Sequence, residues 1–301
     1  MIRLRLLGLS AGILLSTHAA HALRFVAYGD ARTYPAMHQQ VVDGISKVDP
    51  ELVIFTGDLW DGYGLTTAAS QSKFGAILRK HANIGALLDQ NRFLVARGNH
   101  ESEADLLSFR PSLVRDGAAV YSFAQGNCFF VCLGMDPEAS LGFLERELQS
   151  KASTQAAWRF VYSHYPAYST GDHGAQGSPG LEKLCDKYAV TAVFNGHDHI
   201  YERTHQIFAG KVADTGNGLL AGKGTVYIVS GGGGAPLYRA GRQWWTHASA
   251  SANHFCDVQA GDSLVTVTAT LPNGGILDVF TIGKMIGKAR PPLAVKRPDA
   301  E

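Results

Sequence analysis

Residues 192–203 read Ala192-Val193-Phe194-Asn195-Gly196-His197-Asp198-His199-Ile200-Tyr201-Glu202-Arg203, a short β-prone apolar run that breaks off at glycine into imidazoles and a carboxylate. Such a run suits a strand buried on both faces, and the abrupt polar cluster marks where it leaves the sheet. The same change recurs upstream. Residues 23–28 run into Gly29-Asp30, 52–56 into Gly57-Asp58, 93–96 toward Gly98-Asn99-His100-Glu101, and 159–162 into Ser163-His164. Further strands are expected at 128–133 and 225–229, and helices at 37–48, 68–88, 141–148 and 181–188. This alternation predicts an α/β protein. Ligand sites of open α/β sheets form beyond the carboxyl ends of strands, so the polar residues that follow these strands are expected to share one pocket. Two late alternating runs, 263–270 and 276–282, flank Asn273-Gly274-Gly275 and read as a hairpin.

The composition of the 301 residues, 46% hydrophobic and 18% charged, describes a well-buried globular chain and excludes a disordered one. With 27 Lys and Arg against 26 Asp and Glu, nothing in the charge balance favours nucleic acid or an anionic membrane surface. The 34 glycines and 11 prolines follow no three-residue period, which excludes collagen-like structure and promises tight turns. Arg3 and Arg5, an apolar run over 6–15 and the small-residue pattern Ala20-His21-Ala22 predict a signal peptide over 1–22 and a secreted or periplasmic protein. The run falls short of the ~20 residues that span a bilayer. The expected division is a signal peptide at 1–22, one catalytic domain over 23–286 and a flexible tail over 287–301. Export would permit disulfides among Cys128, Cys132, Cys185 and Cys256, with buried free thiols as the other reading. Cys128 and Cys132 on one strand would lie ~13 Å apart and cannot pair.

Asp30, Asp58, Asn99, His164, His197 and His199 are all metal-ligand types. A mixture of carboxylate, amide oxygen and imidazole suits Zn, Mn or Fe better than Ca or Mg. In this order the set resembles the calcineurin-like metallophosphoesterase family. The stretches His164-Tyr165-Pro166-Ala167-Tyr168-Ser169, Asp172-His173-Gly174 and residues 196–203 are similar to its purple acid phosphatase branch, as are Gly231-Gly232-Gly233-Gly234-Ala235-Pro236 and His254-Phe255. The resemblance implies two mixed β-sheets packed face to face with flanking helices, a four-layer sandwich, and two divalent or trivalent metal ions (Fe, Zn or Mn) at the sheet edges. Carried over, Asp58 would bridge the metals, Asn99, His164 and His197 would hold the second, and Asp30 and His199 the first. A metal-bound hydroxide would attack a phosphate ester, with His100 near the leaving oxygen as proton donor or charge stabiliser and His173 as a substrate contact.

Two positions depart from the family. It usually adds a first-metal ligand, either a His two residues after the first Asp or a Tyr three after the second, where this chain carries Arg32 and Asp61. Without tyrosinate the protein is expected to be colourless or weakly coloured. Asp61 could complete the first metal site, and Arg32 could pair bidentately with phosphate. The glycine run at 231–234 lacks the Lys-Ser/Thr of a phosphate-binding P-loop. The expected activity is phosphomonoester hydrolysis of small esters. Phosphodiester or nucleotide hydrolysis, and a low-turnover metal- or phosphate-binding protein, are the alternatives; a surface adhesion module would leave the ordered ligand set unexplained.

Overall fold

The computed structural model describes residues 22–60, 68–109 and 119–284. The expected targeting segment except Ala22, the expected tail and Asp61 lie outside these residues.

Strands β1 (Leu23–Tyr28), β2 (Leu52–Phe55) and β3 (Phe93–Val95) run parallel, with Phe25 opposite Leu52 and Val53 opposite Phe93. Helix α1 (Pro35–Val48) crosses from β1 to β2. Proline at its first turn presets φ where the missing N–H costs nothing, and Val41, Val42 and Ile45 turn one buried stripe to the sheet. A single helix expected over 68–88 is two, α2 (Ala68–Arg79) and α3 (Ala82–Asp89). The chain breaks at His81, which is extended and whose imidazole meets Asp43 of α1 at 2.7 Å. After β3 come α4 (Glu103–Phe109) and the antiparallel pair β4 (Tyr121–Gln125) and β5 (Cys128–Cys132).

The second sheet continues through α5 (Leu141–Leu148), α6 (Lys151–Gln155), β6 (Trp158–Tyr162), α7 (Pro179–Lys187) and β7 (Ala192–Asn195), with β5, β6 and β7 parallel. Strand β8 (Tyr201–Thr204) follows, then the two-stranded β9 (Gln206–Phe208) and β10 (Lys211–Asp214), β11 (Gly218–Leu220), β12 (Val226–Ser230) and β13 (Thr246–Ala250). Strands β14 (Phe255–Ala260), β15 (Leu264–Thr270) and β16 (Ile276–Gly283) return antiparallel to the first sheet beside β1. The two sheets run β11-β16-β15-β14-β1-β2-β3 and β13-β8-β12-β7-β6-β5-β4. The expected hairpin at 273–275 joins β15 to β16.

Phe25 of the first sheet packs edge-on against Phe130 and Phe160 of the second at 5.1 and 5.0 Å, so the sheets lie face to face. The parity of the strands explains the layers. Phe130, Phe160 and Phe194 point into the space between the sheets, whereas Val131, Val161 and Val193 point outward onto Leu144, Leu148 and Leu181 of α5 and α7. The α/β sandwich expected from the sequence is therefore present. All four cysteines are buried and free. No helix among the described residues is long and apolar enough to cross a membrane.

Candidate metal centre

The turns that leave β1, β2, β6, β7 and β12 are stitched together. Gly29 N–H donates to Ser230 O, Asp30 N–H to Gly57 O, Gly196 N–H to His164 O and Gly233 N–H to Gly29 O, all within 3.0 Å. Asp30, Asp58 and His197 occupy left-handed backbone conformations with φ of 60°, 60° and 71°. A non-glycine residue there costs about 1–2 kcal/mol, and strain of this kind clusters where geometry serves function. Glycine is obligatory at position 98, where a Cβ would run into the Asp58 backbone and carboxylate.

Asp58, Asn99, His164 and His197 converge. His164 Nε2 lies 2.8 Å from Asn99 Oδ1 and 3.4 Å from Asp58 Oδ1, and His197 Nδ1 lies 3.1 Å from Asn99 Oδ1. The Nδ1 of His164 meets the backbone carbonyl of Thr56 at 2.8 Å, which must accept its proton, so Nε2 presents a lone pair. Burial, ahead of other causes, lowers His164 to about 3 and keeps the ring neutral. A cation between that lone pair and the Asn99 amide oxygen would satisfy both. Ligands about 2.1 Å from a tetrahedral ion stand about 3.4 Å apart, which the His164–Asn99, His164–Asp58 and His197–Asn99 distances approach, and the Thr56 carbonyl supplies the outer contact that ligating histidines commonly have.

Asp30 and His199 stand beside this set. His199 Nδ1 donates to Pro236 O at 2.6 Å, which leaves Nε2 facing Asp30 Oδ1 at 3.7 Å. Here a protein cation intervenes: Arg32 Nε lies 3.3 Å from Asp58 Oδ2 and its NH2 group 3.4 Å from His199 Nε2. Asp30, Asp58 and His164 offer ligand atoms within 4.8 Å of one another. Burial first raises both carboxyls, Asp30 further through Asp58, while His100 and Arg32 oppose the rise at Asp58. Two buried carboxylates at such range store repulsion that a cation relieves. Burial likewise lowers His197 and His199 to about 3, leaving them neutral as metal binding requires.

His100 is buried, with Nε2 3.7 Å from Asp58 Oδ2. His173 is exposed and stacks on His197 with centroids 4.4 Å apart. Four residues around the centre were not assigned roles from sequence. The Glu101 carboxylate accepts the backbone N–H of Gly98, Asp58 and Leu59 at 2.7, 3.0 and 3.3 Å. Asp198 accepts the Ser169 hydroxyl and the His173 N–H, and Glu202 accepts the Thr170 N–H and hydroxyl, so the loop that carries His173 hangs from two carboxylates. Tyr238 stacks on His199 at 4.1 Å, and its hydroxyl lies 3.3 Å from His173 Nε2. Glu101, Asp198 and Glu202 stood inside the quoted motifs, where carboxylates among ligands were the available signal; Tyr238 had none.

The model of the family described as calcineurin-like phosphoesterase matches residues 18–201. The chain belongs to that family. The family binds a dinuclear metal centre, and several of the relatives this chain is similar to are purple acid phosphatases. Purple acid phosphatase 21 of Arabidopsis thaliana is 29% identical over 218 residues, covering 65% of this chain and 46% of the relative. A second Arabidopsis thaliana relative, named "Probable inactive purple acid phosphatase 27", is 33% identical over 155 residues, covering 46% of this chain and 25% of its own. The chain thus spans a quarter to a half of the length of these curated relatives. Two solved structures share the family fold: the purple acid phosphatase PPD1 of yellow lupin (Lupinus luteus; TM-score 0.72, 20% identity, 88% of this chain and 54% of that one) and GAP50, described as the anchor in the inner membrane complex of Plasmodium (TM-score 0.64, 14% identity, 87% and 89%).

Proposed function

We propose that this chain is a metal-dependent phosphomonoesterase of the acid phosphatase type. The observation that carries the reading is the convergence of Asp58, Asn99, His164 and His197, all metal-ligand types, within a family of phosphoesterases. Asp58, Asn99, His164 and His197 would hold the metal, with Asp30 and His199 alongside; a bound ion supplies Lewis acidity toward phosphate oxygens and acidifies water. Arg32 pairs with the phosphate, the planar fork of its guanidinium matching two phosphate oxygens. His100, whose Nε2 sits beside the Asp58 carboxylate, delivers a proton to the leaving alkoxide. His173, stacked on His197 and tied to Tyr238, contacts the ester from the exposed side.

The deciding experiment is hydrolysis of p-nitrophenyl phosphate beside bis-p-nitrophenyl phosphate by the full chain loaded with Mn, Zn or Fe, in parallel with Asn99→Ala and His100→Ala proteins. The monoester is expected to turn over faster than the diester. Asn99→Ala should lose activity together with its metal, and His100→Ala should lower kcat by roughly 10²–10⁴-fold with its metal retained. A preference for the diester would make the chain a phosphodiesterase. A folded, metal-loaded protein that cleaves neither ester is a binding protein and overturns the reading.

A further inference from the structure

In the first half of the centre, Asp58 Oδ2 and the His199 Nε2 lone pair are the atoms that a first metal would take, with Asp30 beside them. Both are met by one side chain, the Arg32 guanidinium, through Nε at 3.3 Å and its NH2 group at 3.4 Å. The second half has the same kind of facing acceptors at 2.8–3.4 Å, between the His164 ring, the Asn99 amide oxygen and the Asp58 carboxylate. One half therefore carries a cation of the protein's own, and the other is built for a metal ion.

The backbone aims Arg32 at this place. Asp30 N–H donates to Gly57 O, Ala31 N–H to Asp58 O and Tyr34 N–H to Arg32 O, each at 2.9 Å, while Ala235 N–H donates to Asp30 O at 2.8 Å. The turn is thereby clamped between the loop after β2 and the glycine-rich loop after β12, and the Arg32 side chain is only 17% exposed. Charge argues the same way. Asp30, Asp58 and Glu101 are three buried acidic side chains around this place. A second divalent ion would have to share Asp58 Oδ2 and His199 Nε2 with the guanidinium already placed against both.

We propose that the Arg32 guanidinium takes the place of the first metal and that this chain holds a single metal ion, in the Asp58, Asn99, His164 and His197 set. The proposal rests on the metal-dependent reading above but not on turnover. Arg32 then supplies in permanent form the positive charge that a first metal would lend to the phosphate.

The test is metal content by mass spectrometry after the full chain is saturated with Mn(II) and desalted, with the electron paramagnetic resonance spectrum recorded on the same sample. One Mn per chain and the uncoupled hyperfine pattern of an isolated ion are expected. Arg32→His, which places an imidazole where the family carries one, should raise the content toward two and introduce spin coupling. His199→Ala should keep the single ion, and His197→Ala should lose it. Two ions per wild-type chain, or a coupled spectrum, overturns the proposal, and this result stands even where Arg32→His fails to fold. One ion without ester hydrolysis leaves the proposal intact and removes the phosphatase reading; no ion at all removes both.

Discussion

Glu101 Oε1 accepts the backbone N–H of Asp58 at 3.0 Å, so the residue expected to serve as the shared carboxylate is held by a second, fully buried carboxylate. Glu101 also holds Gly98 and Leu59, and thereby ties the turn after β2 to the loop that presents Asn99 and His100. Burial, and then the neighbouring Asp58, push Glu101 up to about 8. Glu101→Ala strands three buried N–H groups and is expected to cost about 3 kcal/mol or more, with loss of metal affinity. Glu101→Gln keeps an acceptor for Asp58 and Gly98 but turns an amide donor on Leu59, at a cost of about 1–2 kcal/mol. Urea unfolding of the two proteins checks the order; equal costs would contradict it.

Tyr238 lies over His199 at 4.1 Å and offers its hydroxyl to His173. Tyr238→Phe keeps the stack and frees His173. A single lost hydrogen bond of about 1 kcal/mol predicts a rise of about fivefold in KM for p-nitrophenyl phosphate with kcat nearly unchanged. Tyr238→Ala should raise KM further. Steady-state kinetics on both variants is the check, and an unchanged KM in Tyr238→Ala would remove Tyr238 from the site.

Arg203 is fully buried and donates to Asp278 through Nε at 2.6 Å and an NH2 group at 3.2 Å, while its guanidinium lies 4.4 Å from the Phe280 ring centroid. Tyr201 donates to the same carboxylate at 2.8 Å. Asp278→Ala leaves a buried charge unpaired and is expected to destabilise by about 3–5 kcal/mol. Replacing both partners, Arg203→Met with Asp278→Leu, should recover most of that loss. Chemical denaturation of the single and double variants measures the coupling.

His38 sits inside the first sheet's helical layer, stacked on Phe74 with its Nε2 3.3 Å from the Tyr28 hydroxyl, and burial lowers it to about 3. Its ordinary value is about 6.5, so the unfolded chain takes up a proton between these limits that the folded chain refuses. This stability is present above pH 6.5 and is lost as pH falls toward 3, by about 2 kcal/mol at pH 5 for this one residue. Buried His254, lowered to about 4, acts in the same direction. His38→Gln should therefore lose about 2 kcal/mol less than the wild type between pH 7.5 and pH 5 in unfolding measurements. Equal losses would show that His38 is charged in the folded protein.

The buried parallel strands were legible because apolar runs covered on both faces look alike wherever they occur, and β1 and α5 fall at the boundaries read from sequence. The strands β4, β8 to β11, β13 and β14 were not read from the sequence. Tyr-Glu-Arg-Thr in β8 and Lys-Val-Ala-Asp in β10 carry no two-residue apolar period, and β8 is paired between β12 and β13 with its polar Arg203 and Glu202 side chains finding buried partners. The break between α2 and α3 was equally hidden, since His81 leaves the helix for a hydrogen bond to a residue 38 positions away.

By itself the sequence determined which residue types end which strands, and hence that Asp30, Asp58, Asn99, His164, His197 and His199 belong to one edge of an α/β sandwich. That information is local, because a strand end and a ligand type are both written in a few consecutive residues. The tertiary structure alone decided what meets what at that edge. The Arg32 guanidinium against Asp58 and His199, the Glu101 carboxylate beneath Asp58 and the Tyr238 ring over His199 are pairs 26 to 167 positions apart, or clasps across two loops. Such contacts are set by how two sheets pack and how their turns interlock, and no spacing along the chain encodes them.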